Sequence, residues 1–128
     1  MRMVTSIDSD FNYKECETLY KSVKTQMGNH CEFKKIVENS HFYSFYKGNL
    51  LAGCIYITSE DGKLFLSGFS VRKNHLKNIE AVKKVVSFYN CSIWAKTKHR
   101  SAEIILKKCG FKLIKTDANK IKYLKKED

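Results

Sequence analysis

The sequence predicts one mixed α/β domain over residues 1–128, a twisted mixed β-sheet of six or seven strands flanked by about four helices. Three observations predict it. Apolar residues recur at helical spacing early in the chain, again past its middle and near its end, and at strand spacing in between. Asp61-Gly62, a strong two-residue hairpin signal, joins two apolar runs. A helix-period stretch then separates the second run from a short Ile-Trp strand. A crossover helix returns the chain to the same end of the sheet, so these two strands should be parallel neighbours.

The elements follow in order. Met3–Ile7 reads as a first short strand. Asn12 is an N-cap with Glu15 at capping-box spacing. Behind it Tyr13, Cys16, Leu19, Tyr20, Val23 and Met27 form a helical stripe, stopped by Gly28-Asn29. A shorter helix carries Phe33, Ile36 and Val37 on one face. His41–Tyr46 is dense in aromatics and ends at the Lys47-Gly48-Asn49 turn. Leu50–Thr58 and Leu64–Val71 flank the Asp61-Gly62 hairpin, and the three strands together read as an antiparallel meander. Asn78 can cap the next helix, apolar at Ile79, Val82, Val86 and Tyr89. Ser92–Ala95 is a short strand. Ala102, Ile105, Leu106 and Cys109 form a last helical stripe, stopped by Gly110. Phe111–Ile114 and Ile121–Leu124 are strands around an Asp117-Ala118-Asn119 turn. The order is β-α-α-β-β-β-α-β-α-β-β.

Charge is the loudest feature of the composition, a formal +11. It favours an anionic partner such as nucleic acid, an acidic protein or a phosphorylated cofactor. Lysine supplies nearly all of it, with arginine only at Arg2, Arg72 and Arg100. Five cysteines and four histidines are scattered without paired spacings, so no metal site is expected. The cysteines read as reduced, small buried hydrophobes, and nothing near Cys109 in sequence would lower its pKa. No apolar run approaches the roughly 20 residues that span a bilayer. The opening residues carry an early Asp8 and no apolar core, so a cytoplasmic protein without a signal peptide is expected, making no membrane contact.

The element order and one motif carry a family resemblance. Ala102-Glu-Ile-Ile-Leu-Lys-Lys-Cys-Gly110-Phe111 resembles the stretch of GNAT N-acetyltransferases that runs from the last main helix into the sixth strand. That family's pattern is Asn-x-x-Ala, a Tyr four residues after the Ala, then Gly-Phe. Ala102, Gly110 and Phe111 match in register. His99 stands at the Asn position and Leu106 at the Tyr position, where the family has a residue able to act as general acid.

The resemblance implies acetyl-CoA as cofactor and an amine of a protein or small molecule as substrate. The loop after the fourth strand and the following helix start would hold the pyrophosphate through free amides. On this chain the role falls to Phe69, Ser70, Val71, Lys73, Asn74, His75, Leu76, Lys77 and Asn78, with Ala102 and Leu106 beside the cofactor. The loop from Arg72 to Asn78 has none of the family's glycines. Side chains at Asn74, Leu76 and Asn78 would crowd the cofactor, and weak, high-micromolar binding is the expectation. His99 and Tyr123 are the candidate acid and base, against the plainer readings of a surface histidine and a core tyrosine.

Three readings stay open at this point. The chain is an acetyltransferase. Or it keeps the fold without the chemistry, as small GNAT-like proteins of bacteriophage accessory or virion type do, which would place it in a host cytoplasm or a virion. Or its basic surface binds nucleic acid weakly, without sequence preference and with strong salt dependence. For that reading the His41–Tyr46 aromatics offer stacking surfaces, against the alternative that they are core.

Overall fold

The protein is described by a computed structural model covering residues 1–27, 31–71 and 75–128, with side chains for 1–24, 31–71 and 77–128. The elements run β1 (Arg2–Thr5), α1 (Tyr13–Met27), α2 (Phe33–Glu38), β2 (His41–Lys47), β3 (Leu50–Glu60) and β4 (Lys63–Ser70). They continue through α3 (His75–Val86), β5 (Ile93–Thr97), α4 (Arg100–Lys108), β6 (Lys112–Thr116) and β7 (Lys122–Lys126). The strands form a seven-stranded sheet in the order β1-β2-β3-β4-β5-β7-β6. The β1–β2, β2–β3, β5–β7 and β6–β7 pairings are antiparallel, and β4–β5 is parallel, as the intervening helix requires. The expected element order therefore stands. The hairpin does too: Asp61 and Gly62 have φ of 53° and 73°, the left-handed pair that a two-residue turn of this hand needs.

The chain forms two compact units, Met1–Ile57 with Gly68–Asn74, and Thr58–Ser67 with His75–Asp128. In the first, α1 starts as expected, with Asn12 Oδ1 accepting the Glu15 amide at 3.0 Å. The reciprocal half of the capping box is not what Glu15 does. Its Oε1 instead accepts the Tyr46 hydroxyl at 2.8 Å, tying α1 to β2. Burial, and then this carboxylate, push the Tyr46 phenol well above its ordinary pKa. The stripe of α1 buries Cys16 and Tyr20 against Phe33 and Ile36 of α2 and Phe42, Cys54, Tyr56 and Phe69 of the sheet. Phe42 is central, its ring 5.5 Å from Phe33, 5.9 Å from Tyr56 and 6.3 Å from Phe69. Residues 42–46 of β2 are buried on both faces, so that strand's aromatics are core and not a stacking surface. The expected helix stop at Gly28-Asn29 lies outside the described residues.

In the second unit, α4 lies against β5 and β6, and α3 against α4. The helices cover the sheet face that carries Ile93, Ala95 and Leu124, all buried. Gly110 ends α4 at φ 93°. The Phe111 amide reaches back to the Leu106 carbonyl at 3.1 Å and the Phe111 ring is buried, the helix-to-strand corner the sequence implied. Two expectations change here. The helix over Ile79–Val86 already begins at His75, so Asn78 lies inside α3 rather than capping it. Tyr89 lies beyond its end, and Val85, absent from the predicted stripe, is fully buried instead.

Candidate functional site

The predicted site residues divide between the two units. In the first, β4 ends with Phe69, Ser70 and then Val71. The Phe69 side chain is core, 5.4 Å from the Tyr20 ring, so it can present only backbone to a ligand. The Val71 amide donates to the Ala52 carbonyl at 3.0 Å across the β3–β4 hairpin. Alternation along a strand then aims the Gly68 and Ser70 amides at the other edge of β4, away from β3. Close packing holds this segment in place. A Cβ on Gly68 would lie 2.8 Å from the Cys54 carbonyl oxygen, and one on Gly53 would lie 2.9 Å from Ser70 Cβ.

In the second unit, α3 begins at His75 with no acidic residue in its first turn, and half-buried Lys77 and Asn78 follow. Lys73 and Asn74 lie outside the described residues, as do the side chains of His75 and Leu76. The parallel β4–β5 ladder comprises Leu64↔Ile93 and Phe65↔Trp94, in the first half of β4. His99 follows β5 as the N-cap of α4. Its amide donates to Thr97 Oγ1 at 3.0 Å, its carbonyl accepts the Glu103 amide at 3.1 Å, and its imidazole is exposed and caps nothing. Ala102 is half-buried one turn before Leu106, which is 6% exposed. Tyr123 sits on β7, opposite Lys96 of β5 and Lys115 of β6, half-buried, with Lys115 Nζ 4.7 Å over its ring. Among the described residues no hydrogen bond joins His99 to Tyr123.

The thiols split. Cys16, Cys54 and Cys109 are buried free thiols, while Cys31 and Cys91 are exposed, so two of the five are not the buried hydrophobes expected. Burial pushes the Cys109 thiol up against the opposing pull of the Lys83 charge, and its Sγ lies 3.7 Å from the Ile79 carbonyl of α3. One charged group near this site was not anticipated. Glu103 of α4 is 7% exposed and accepts hydrogen bonds from Lys122 at 2.7 Å and Lys107 at 2.9 Å. The Glu103–Lys107 half is legible as an i, i+4 pair. The Lys122 half needs the β7 strand in place.

No protein-family model and no curated protein matches the chain. Solved structures do. An N-acetyltransferase from Staphylococcus aureus Mu50 superposes with a TM-score of 0.76 at 10% identity, over 99% of this chain and 98% of that one. The N-acetyltransferase PseH of Campylobacter jejuni, in complex with acetyl coenzyme A, gives 0.70 at 12% identity over 99% of both chains. The PaiA N-acetyltransferase of Thermoplasma acidophilum, in complex with coenzyme A, gives 0.68 at 14% identity over 100% of both. The chain has the GNAT fold.

Proposed function

We propose that this protein is an acetyl-CoA-dependent N-acetyltransferase acting on an amine of a protein or small molecule. The observation that carries the reading is a fold shared end to end with N-acetyltransferases, two of them solved with CoA or acetyl-CoA. The residues present suit an acyl-CoA. The start of α3 combines a favourable dipole, no acidic side chain in its first turn and the Lys77 cation, which together favour a pyrophosphate. Ala102 is small and Leu106 apolar, compatible with a thin pantetheine arm. When bound, acetyl-CoA supplies an acetyl group activated as a thioester.

The chain's own groups then have separate tasks. The Gly68 and Ser70 amides are the donors for a carbonyl oxygen that gains charge. With the cofactor bound, the exposed His99 imidazole would take the proton from the amine, and the Tyr123 hydroxyl would supply one to the thiol product. Lys73 and Lys77 recover, at an entropic cost, part of the phosphate binding that glycines would supply.

One observation favours a second reading, a GNAT fold without the chemistry. Leu106 is a buried aliphatic side chain at the position where the family has its acidic tyrosine. Calorimetric titration with acetyl-CoA and a thiol-release assay with a panel of amines separate the two. The expected result is high-micromolar affinity that weakens with salt and falls roughly tenfold or more in Lys73→Ala/Lys77→Ala. Amine-dependent thiol release that drops in Tyr123→Phe and His99→Ala supports transfer. Binding without release supports the second reading, and no binding at millimolar acetyl-CoA refutes the cofactor altogether.

A further inference from the structure

The face of the second unit opposite its helices carries an array of lysines and aromatic rings. Partners directly opposite in a ladder point to the same side of a sheet. Phe65↔Trp94, Trp94↔Lys125, Lys96↔Tyr123, Lys112↔Lys125 and Lys115↔Tyr123 therefore share one face, across four strands. Ring contacts confirm it. Lys63 Nζ lies 4.7 Å and Lys125 Nζ 5.3 Å from the Trp94 ring, Lys96 Nζ 4.8 Å from the Phe65 ring, and Lys115 Nζ 4.7 Å from the Tyr123 ring. Trp94 and Tyr123 are half-buried, and Lys63, Lys96, Lys112 and Lys115 are exposed. Phe65 is buried and Lys125 half-buried, so the part of this face that meets solvent is the one around Trp94, Tyr123 and the exposed lysines.

Its charge is poorly compensated. The carboxylates that answer it are Glu60, 3.2 Å from Lys96, and Glu127, 3.1 Å from Lys125, both well exposed. Lys63 and Lys115 have no ion pair among the described residues, and they rest on ring faces instead. An ammonium so held is easily turned outward, and turning it uncovers the ring.

We propose that this open sheet face binds single-stranded nucleic acid, with bases stacking on Trp94 and Tyr123 and the flanking lysines meeting phosphates. The inference does not rest on the acetyl-transfer reading, although it gives Tyr123 a second task; Trp94 and the lysines belong to it alone. Charge complementarity selects a polyanion, and the interleaved rings select one with free base faces. A duplex keeps its bases stacked inside, and an acidic polypeptide would engage the lysines with no use for the rings.

Trp94 is the only tryptophan in the chain, so its emission reports stacking directly. The test titrates the full chain with labelled (dT)15, following anisotropy and Trp94 fluorescence, with a 15-base-pair duplex and polyglutamate as comparators. The expected result is binding with quenching that weakens steeply with salt. Lys63→Glu/Lys96→Glu and Tyr123→Ala, checked for folding by circular dichroism, should each lose roughly tenfold or more in affinity. Lys83→Glu/Lys84→Glu on α3 should change it by less than about twofold, apart from the general charge effect. Equal binding of duplex or polyglutamate without quenching would overturn the proposal in favour of a generic cationic surface. So would equal losses from the α3 pair, or no binding of (dT)15 at about 50 mM salt.

Discussion

Lys122 of β7 holds its ammonium 2.7 Å from Oε1 of Glu103 on α4, at a carboxylate that is 7% exposed. Hydrogen bonds from Lys122, then Lys107, hold the Glu103 carboxyl down at about 2, below its ordinary 4.5. A depressed folded-state pKa stabilises the fold above the unfolded value and loses that contribution as pH falls through the folded one. Glu103→Gln should therefore flatten the loss of stability between pH 4.5 and about 2 relative to the unmodified chain. Urea midpoints measured across that range check it; parallel slopes for the two proteins would contradict the assignment.

Thiol accessibility should follow the burial pattern. Cys31 and Cys91 are exposed, and Cys16, Cys54 and Cys109 are buried. Burial, and then the hydrogen bond with Cys16, push the Cys54 thiol well up, while that same hydrogen bond draws the Cys16 thiol down. Both side chains are buried, and it is inaccessibility that should make the pair resist alkylation in the native state. Iodoacetamide at pH 8 followed by intact-mass analysis should show two rapid adducts and three only on unfolding. Non-reducing mass spectrometry of the native protein should find all five thiols reduced.

Gly68→Ala should destabilise the protein by about 1–3 kcal/mol, because neighbouring backbone must move to admit the methyl. The new Cβ would meet the Cys54 carbonyl oxygen at 2.8 Å, and a backbone oxygen yields less easily than a side-chain tip. Gly53→Ala, with Ser70 Cβ at 2.9 Å and the Phe69 oxygen at 3.0 Å, should fall in the same range. Chemical denaturation reads both.

Phe42→Ala should cost about 3–5 kcal/mol, the range for deleting a buried aromatic ring. Phe42 is 1% exposed and its ring also meets Phe11 edge-on at 5.8 Å, so its loss leaves a void lined by four other rings. Phe88→Ala, removing a ring that is 50% exposed, should cost much less. Similar urea midpoints for the two variants would refute the ranking.

Local signals determined much of this protein. The stripe through Cys16 and Tyr20, the left-handed Asp61-Gly62 turn and the Gly110 stop before Phe111 each rest on neighbours a few residues apart in sequence. Backbone sterics and helical or strand period act at that range. From them the sequence by itself determined the element order, the antiparallel β2–β3 pairing and the parallel β4–β5 pair. The predicted start of α3 failed because Asn78 is a good cap residue in isolation, and propensity is a weak prior beside the packing of Val82 and Val85. Tertiary structure alone decided the rest. The insertion of β7 between β5 and β6 brings Lys122 to Glu103 and Lys115 to Tyr123. The close approach of Gly68 to Cys54 likewise joins distant residues. Which aromatics are core and which face solvent was decided there too: Phe42 and Tyr46 went inside, Trp94 and Tyr123 onto an open face. The physical reason is that strand alternation states only that two faces differ, and burial depends on which distant element comes to cover one of them.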